Sequence, residues 1–262
     1  METDAKQPFM SHLEELRKRL VICAIAVGIG FVIAYVFAEQ LFKILIMPLE
    51  QNMEEGQQLI FTSLPEMFFA YLKTALVTAI LAAAPLIFYQ LYMFVAPGLY
   101  RHERNLVVPF VISSTLLFVG GSLFGYFIVF PFGFRFFLGF ATDYIQALPS
   151  VKEYFSFAVK LLFAFGLVFE LPVVAFFMGK LGIVTPELMR RKRKYAILLV
   201  FAMGAILTPP DVVTQCMMAL PLIILYEISI LVVRMARTGK KGEGEGVSET
   251  EGGSESEGGS EE

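Results

Sequence analysis

The stretch YQLYMFVAPGLYRHERNLVVP, Tyr89–Pro109, decides how the rest of the chain is read. It is a polar island between two long apolar runs. Charged side chains are costly at bilayer depth, so in a chain this apolar the island has to be a water-facing connection between two membrane helices. Pro97 restricts the residue before it and Gly98 tolerates a turn, so one helix ends here and another restarts beyond it. Within the island one acid, Glu103, stands among Arg101, His102 and Arg104.

Composition assigns the class. Of the 262 residues, 56% are apolar and 27 are phenylalanine, more than a soluble domain of this length could place on its surface. The chain is expected to be an all-α polytopic membrane protein. Its formal charge of −3 misleads, because eight of the acids lie between Glu243 and Glu262, and the remainder is basic. Cys23 and Cys216 both fall in apolar runs, where they act as small hydrophobes rather than as a disulfide framework.

Working outward toward the amino terminus, SHLEELRKRL reads as a short amphipathic helix within a segment 1–20. Ser11 and Glu14 fit a capping box, and Glu14–Lys18 and Glu15–Arg19 are spaced for ion pairs one turn apart. Glu15 is therefore open to two readings, a solvated ion pair or a free carboxylate for a cationic partner. Val21–Ala38 is uncharged and long enough to span about 30 Å of hydrocarbon, and it is read as a membrane helix rather than a cleaved leader. The loop Glu39–Lys73 holds several acids. Within it LFKILIMP has an amphipathic pattern suited to an interface, and Ser63 with Glu66 forms a second capping box.

Further spans follow at about Met67–Val95, with Pro85 expected to kink it, Leu106–Phe134, with Gly120, Gly121 and Gly125 permitting bends or close contacts, and Phe155–Met178. The last of these contains Glu170, two residues before Pro172. An acid at that depth is either a functional group facing a wet cavity or a protonated carboxyl held against a neighbouring helix. Thr185-Pro186-Glu187 starts the next helix ahead of the basic run RRKRK, which reads as a topology signal that also meets anionic lipid; a nucleic-acid partner is not expected. Tyr195–Leu207 offers only 13 apolar residues, about 20 Å of helix. With Val212–Val233 it either thins the bilayer or forms a re-entrant hairpin.

These spans give six helices over 21–233 and a disordered acidic tail over 234–262. Sixteen of the 21 lysines and arginines fall on the side of the amino terminus, so the positive-inside rule puts both termini in the cytoplasm. No phosphate loop GxxxxGK[ST] and no GxSxG occur, and the only histidines are His12 and His102, so an enzyme, a cofactor or a metal site is not expected. What stands out is two acids, Glu15 and Glu103, at one cytoplasmic rim made basic by topology. Carboxylates so placed can take guanidinium groups through charge-assisted, two-pronged hydrogen bonds.

HLEELRKRL, the YQLYMFVAPGLYRHER hairpin, AFGLVFELPV around Glu170 and ILTPPDVVTQ together resemble the TatC family, the multispanning core subunit of the twin-arginine protein translocase. The resemblance runs from about Gln7 to about Arg234. It implies six helices in a concave, glove-like arrangement with the last two short, and a cytoplasmic site that reads the twin-arginine signal peptide of folded proteins. Glu15 and Glu103 match the family's acidic signal-binding positions, with Arg17, Phe94 and Leu99 in the matching neighbourhood. Pro48 and Asp211 match external-loop positions. Thr208 and Gln215 match a polar patch where the single-helix partners TatA and TatB pack, although Ala205 stands where a larger side chain can occur. Transport powered by the proton gradient, an inner-membrane location and an oligomer of TatB–TatC units are further implications. Two rivals are a proton-coupled secondary transporter of a small solute, which would call for internal repeats that this sequence does not display, and a purely structural scaffold.

Overall fold

Each apolar run forms an α-helix, as it must where lipid offers no hydrogen-bond partner to an open backbone. The computed structural model describes residues 6–53, 58–95, 107–142, 144, 147–207 and 212–245. Its helices are α1 (Lys6–Val36), α2 (Ala38–Glu50), α3 (Glu66–Val95), α4 (Val107–Phe124), α5 (Phe130–Leu138), α6 (Val151–Phe169), α7 (Leu171–Lys180), α8 (Pro186–Leu207) and α9 (Val212–Glu245). A π-helical turn, Gly125–Val129, joins α4 to α5, so the two make one span. Among the described residues five segments are long and apolar enough to cross a membrane: His12–Val36, Glu66–Val95, Val107–Leu138, Val151–Lys180 and Val212–Ala236. In α8 the basic run fills the first half, which leaves the short apolar stretch Tyr195–Leu207 as the sixth.

Several expectations are corrected by the way the helices continue. Ser11 does not start a helix, because α1 runs unbroken from Lys6, with Pro8 in its first turn, where a missing N–H costs nothing. The expected loop Glu39–Lys73 is helical at both ends, as α2 up to Glu50 and as α3 from Glu66, and Pro48 lies inside α2 rather than in a loop. The length of α9 differs too. It does not stop near Val233 but continues to Glu245, since no proline follows and the first glycine comes at Gly239. Residues 234–245 are thus helical and not part of a structureless tail. Pro85 sits within α3, and helix continues on both sides of it.

Where expectations hold, the cause is visible. Thr185 caps α8 by accepting the Leu188 N–H at 3.1 Å. Glu66 reaches back to the Ser63 N–H at 3.3 Å, as a capping-box glutamate does. The α6–α7 span breaks at Glu170, just ahead of Pro172.

Packing follows small residues. α1 lies along α3 because Gly30 meets Ala79, with 3.4 Å left for a β-carbon, and Ala75 and Ala79 of α3 are almost fully buried. α4 and α6 interlock more tightly. A β-carbon at Gly121 would come within 2.6 Å of the Phe165 carbonyl oxygen, and one at Gly166 within 2.8 Å of the Phe118 ring. Ser122 strengthens this seam by donating to the Leu162 carbonyl at 3.1 Å. From there α7 packs on α9, and α8 on α9, so the helices form a row from α1 to α8 rather than a closed bundle. The outer face of α1, including Ile25, Ile29, Val32 and Val36, stays exposed, as a lipid-facing surface should.

Pro48 explains a second seam. It has no N–H to give to the carbonyl four residues earlier, that of Ile44, and the Tyr126 hydroxyl of the π-helical turn donates to that oxygen instead. The Tyr154 hydroxyl of α6 donates to the next carbonyl, that of Leu45. Tyr126→Phe should therefore lower the unfolding free energy by about 1–3 kcal/mol, the cost of an orphaned buried carbonyl. In a Pro48→Ala background, which restores the missing donor, the same change should cost markedly less; a double-mutant cycle of thermal unfolding in detergent checks this.

Candidate functional site

The sequence-derived candidates converge on the end of the row where α1 begins and α3 finishes. On α1, His12, Glu15 and Arg19 are spaced to share one face, and on α3 Gln90 and Phe94 do the same. The two faces meet. The His12 ring stacks on Phe94 with centroids 4.4 Å apart and an interplanar angle of 19°. Arg19 donates through Nε to Glu15 Oε1 at 3.1 Å and through Nη2 to the same oxygen, while its Nη1 reaches the buried amide of Gln90, Oε1, at 3.3 Å. Glu15 is half-buried, and Arg17, two residues on and so on a different face of α1, is exposed.

Of the two readings open for Glu15, the ion pair with Arg19 is the one formed here. It is not an ordinary surface pair, because Gln90 pins the arginine from the neighbouring helix and limits the freedom it loses on pairing. Both Arg19 nitrogens bond one carboxylate oxygen, Oε1.

Glu103 and Leu99 lie outside the described residues, as do Thr208 and Asp211. The helices flanking Glu103 are nonetheless held together. Tyr92 of α3 sits 5.0 Å from Phe110 of α4, centroid to centroid, and both rings contact Phe177 of α7. The end of α3 and the start of α4 are thus adjacent, at the same end of the row as Glu15. Positive charge gathers here too. Lys180 ends α7, exposed Arg190, Arg191, Lys192, Arg193 and Lys194 open α8, and Arg193 pairs with Glu227 at 2.6 Å.

Gln215 has a partner in the fold. Its Nε2 donates to the Phe201 carbonyl at 2.8 Å and its stem lies against Gly204, so it joins α9 to α8, with Ala205 exposed beside it. Glu170 is buried, 7% exposed, inside the α6–α7 span and next to Ser114 of α4. Its Oε1, the Ser114 hydroxyl and the Thr115 hydroxyl each lack a hydrogen-bond partner. Of these, Glu170 Oε1 and the Ser114 hydroxyl lie near one another between α4 and the α6–α7 span, where a proton, water or polar partner group can satisfy them.

Sequence reasoning anticipated the Glu15–Arg19 pair but missed Gln90, which holds that arginine from α3, and His12 as a stacking partner. The signal existed in part. Gln90 is a lone amide in an apolar helix, one turn before Phe94. That it faces α1 rather than lipid depends on helix packing.

The comparisons agree with this geometry. The chain has the architecture of a multi-span transport protein rather than an enzyme, and a family model described as Sec-independent protein translocase protein (TatC) matches residues 11–221. A Sec-independent protein translocase protein TatC from Desulforapulum autotrophicum is 57% identical over 246 residues, 94% of this chain and 91% of that protein. The one from Escherichia coli is 40% identical over 234 residues, 89% and 91% of the two chains. A crystal structure of the twin-arginine translocase receptor TatC superposes with a TM-score of 0.77 at 44% identity, covering 86% of this chain and 99% of that one. The chain belongs to the TatC family and is a component of the twin-arginine translocase, which sets aside the solute-transporter reading.

The His12–Phe94 stack should control how firmly the α1 end is held. Phe94→Ala should speed amide exchange about five- to tenfold in residues 12–20, from the loss of roughly 1 kcal/mol of ring contact. The middle of α1, fixed by Gly30 and Ala79, should not change; hydrogen-exchange mass spectrometry reads both regions.

Proposed function

We propose that this protein is the signal-reading subunit of its translocase in a bacterial inner membrane, with both termini cytoplasmic. In this reading the α1–α3 end binds the twin-arginine signal peptides of folded proteins. What supports it is that Glu15 already pairs with a guanidinium, that of Arg19, which Gln90 holds from α3, with the His12–Phe94 stack beside it on the same two helices. An incoming arginine replaces Arg19 at Glu15, and its neighbour pairs with Glu103. Arg17 and Leu99 border the site. Charge sets the register of the signal, and burial of its apolar segment along the helices supplies most of the affinity.

Displacement of Arg19 makes the site selective. A lysine offers a point charge without the planar fork, so it gains less at a carboxylate already shaped around a guanidinium. Binding of a fluorescent twin-arginine signal peptide to the full-length protein in nanodiscs checks this. Glu15→Ala and Glu103→Ala should each weaken binding about 10- to 100-fold, and a twin-lysine peptide should bind wild type as weakly. Arg19→Gln should tighten binding up to about fivefold, because only a modest pair has to be broken. Unchanged binding in Glu103→Ala would remove that residue from the site.

The second step is assembly with TatA and TatB single-helix subunits, as an oligomer of TatB–TatC units, to move the folded cargo using the proton gradient. Thr208 and Gln215, with Asp211 and Pro48 toward the other face, border that assembly surface. Glu170 acts here, since its open carboxyl oxygen and the two orphaned hydroxyls lower the cost of bringing polar groups into the seam. Glu170→Ala should retain signal-peptide binding and lose transport of a folded reporter into inverted vesicles; wild-type transport would exclude Glu170 from the mechanism.

A further inference from the structure

At the end of the row opposite Glu15, a different carboxylate organises the surface. Glu66, 6% exposed at the start of α3, accepts five hydrogen bonds: from the Thr62 N–H at 2.8 Å and hydroxyl at 3.2 Å, the Ser63 N–H at 3.3 Å, the Ser150 hydroxyl at 3.0 Å and the Lys152 N–H at 2.7 Å. A single parallel β-bridge between Ile60 and Ser150 runs beside it. These bonds clamp the start of α3 to the start of α6 and leave a cavity of about 450 Å³ between them, within the range of about 300–1,000 Å³ found for ligand pockets.

The chemistry of this cavity is two-sided. Phe69, Ala70 and Phe155 line one part, and Lys73 and Lys152 line the other, with Ser63 at the rim. Both lysines are exposed, and among the described residues neither forms an ion pair. Glu66 cannot serve them, because its oxygens are already taken by five donors. The lining therefore carries one net positive charge. It sits where two membrane spans, Glu66–Val95 and Val151–Lys180, both begin, so its apolar wall continues into hydrocarbon and its lysines reach headgroup depth.

We infer that this cavity is a binding site for a phospholipid whose headgroup carries a single net negative charge, in the leaflet opposite the Glu15 end. The phosphodiester lies between Lys73 and Lys152 and accepts charge-assisted hydrogen bonds from both, and one acyl chain runs down over Phe69 and Phe155. One negative charge leaves the lining neutral. A free phosphate would satisfy the lysines but leave the aromatic wall unused, which is why the lipid is favoured. The site is independent of signal recognition, and its occupant would staple α3 to α6 on the face opposite the signal.

Native mass spectrometry of the full-length protein, released from detergent with defined lipid added, tests this. Titrated with dioleoylphosphatidylglycerol, the wild type should retain one molecule per chain with an affinity at least about tenfold above that of Lys73→Gln/Lys152→Gln, given two lysines at headgroup depth. Dioleoylphosphatidylcholine should bind wild type no better than phosphatidylglycerol binds the double variant, and millimolar inorganic phosphate should not displace the bound lipid. Lys73→Gln alone, whose side chain takes no part in the Glu66 cluster, should lose several-fold and covers the case in which the double variant does not fold; Lys73→Arg should retain binding. Equal phosphatidylglycerol retention by wild type and Lys73→Gln, equal affinity for phosphatidylcholine, or displacement by phosphate would overturn the proposal.

Discussion

A backbone inside lipid has no water to turn to, and this constraint governs every irregularity in the protein. Where proline removes a donor in α2, a tyrosine hydroxyl from another helix takes the orphaned carbonyl. Where the third span needs close contact with the fourth, glycine removes the side chain and Ser122 donates across the seam. Where two loops meet at the start of α3, one glutamate gathers the free N–H groups of three residues. In each case the helix is not weakened in isolation but tied to a neighbour, so irregularity becomes tertiary structure. Glu170, Ser114 and Thr115 are the exception among the described residues, each with a buried polar atom that has no hydrogen-bond partner.

The row of helices separates two tasks. At one end α1 and α3 are held by small residues deep in the bilayer, by a ring stack at the surface and by Arg19, which bridges Glu15 of its own helix and Gln90 of α3. At the other end the Glu66 clamp fixes α3 against α6. α3 links the two, so the helix that meets Arg19 through Gln90 at one end is anchored through Glu66 at the other. Because α1 packs chiefly on α3, most of its surface is left open, as suits an element that meets lipid and other chains.

Much of the candidate site could be read from the chain. Two acids in a basic setting at the same rim follow from the spacing of the spans and the distribution of lysine and arginine. Gln90 could not be assigned, since a lone amide in an apolar helix can face lipid, a cavity or a partner, and only the rotation of α3 against α1 chooses among these. The apolar face of α2 was visible in LFKILIMP as a pattern, yet that pattern fits an interfacial helix as well as a packed one. Its burial depends on Phe42, Leu45 and Leu49 meeting α3, α5 and α6, which lie far away in sequence.

By itself the sequence determined the class of the protein, the positions of its membrane spans, the break at Glu170 and the cap at Thr185, because hydropathy, proline and capping hydroxyls act within a few residues of where they stand. The tertiary structure alone decided that Gln90 of α3 holds Arg19 at Glu15, that Tyr126 replaces the hydrogen bond lost at Pro48, and that Glu66 of α3 also serves the start of α6. Each of these is a contact between groups on different segments, and its existence depends on how helices rotate and approach, which short-range pattern does not encode.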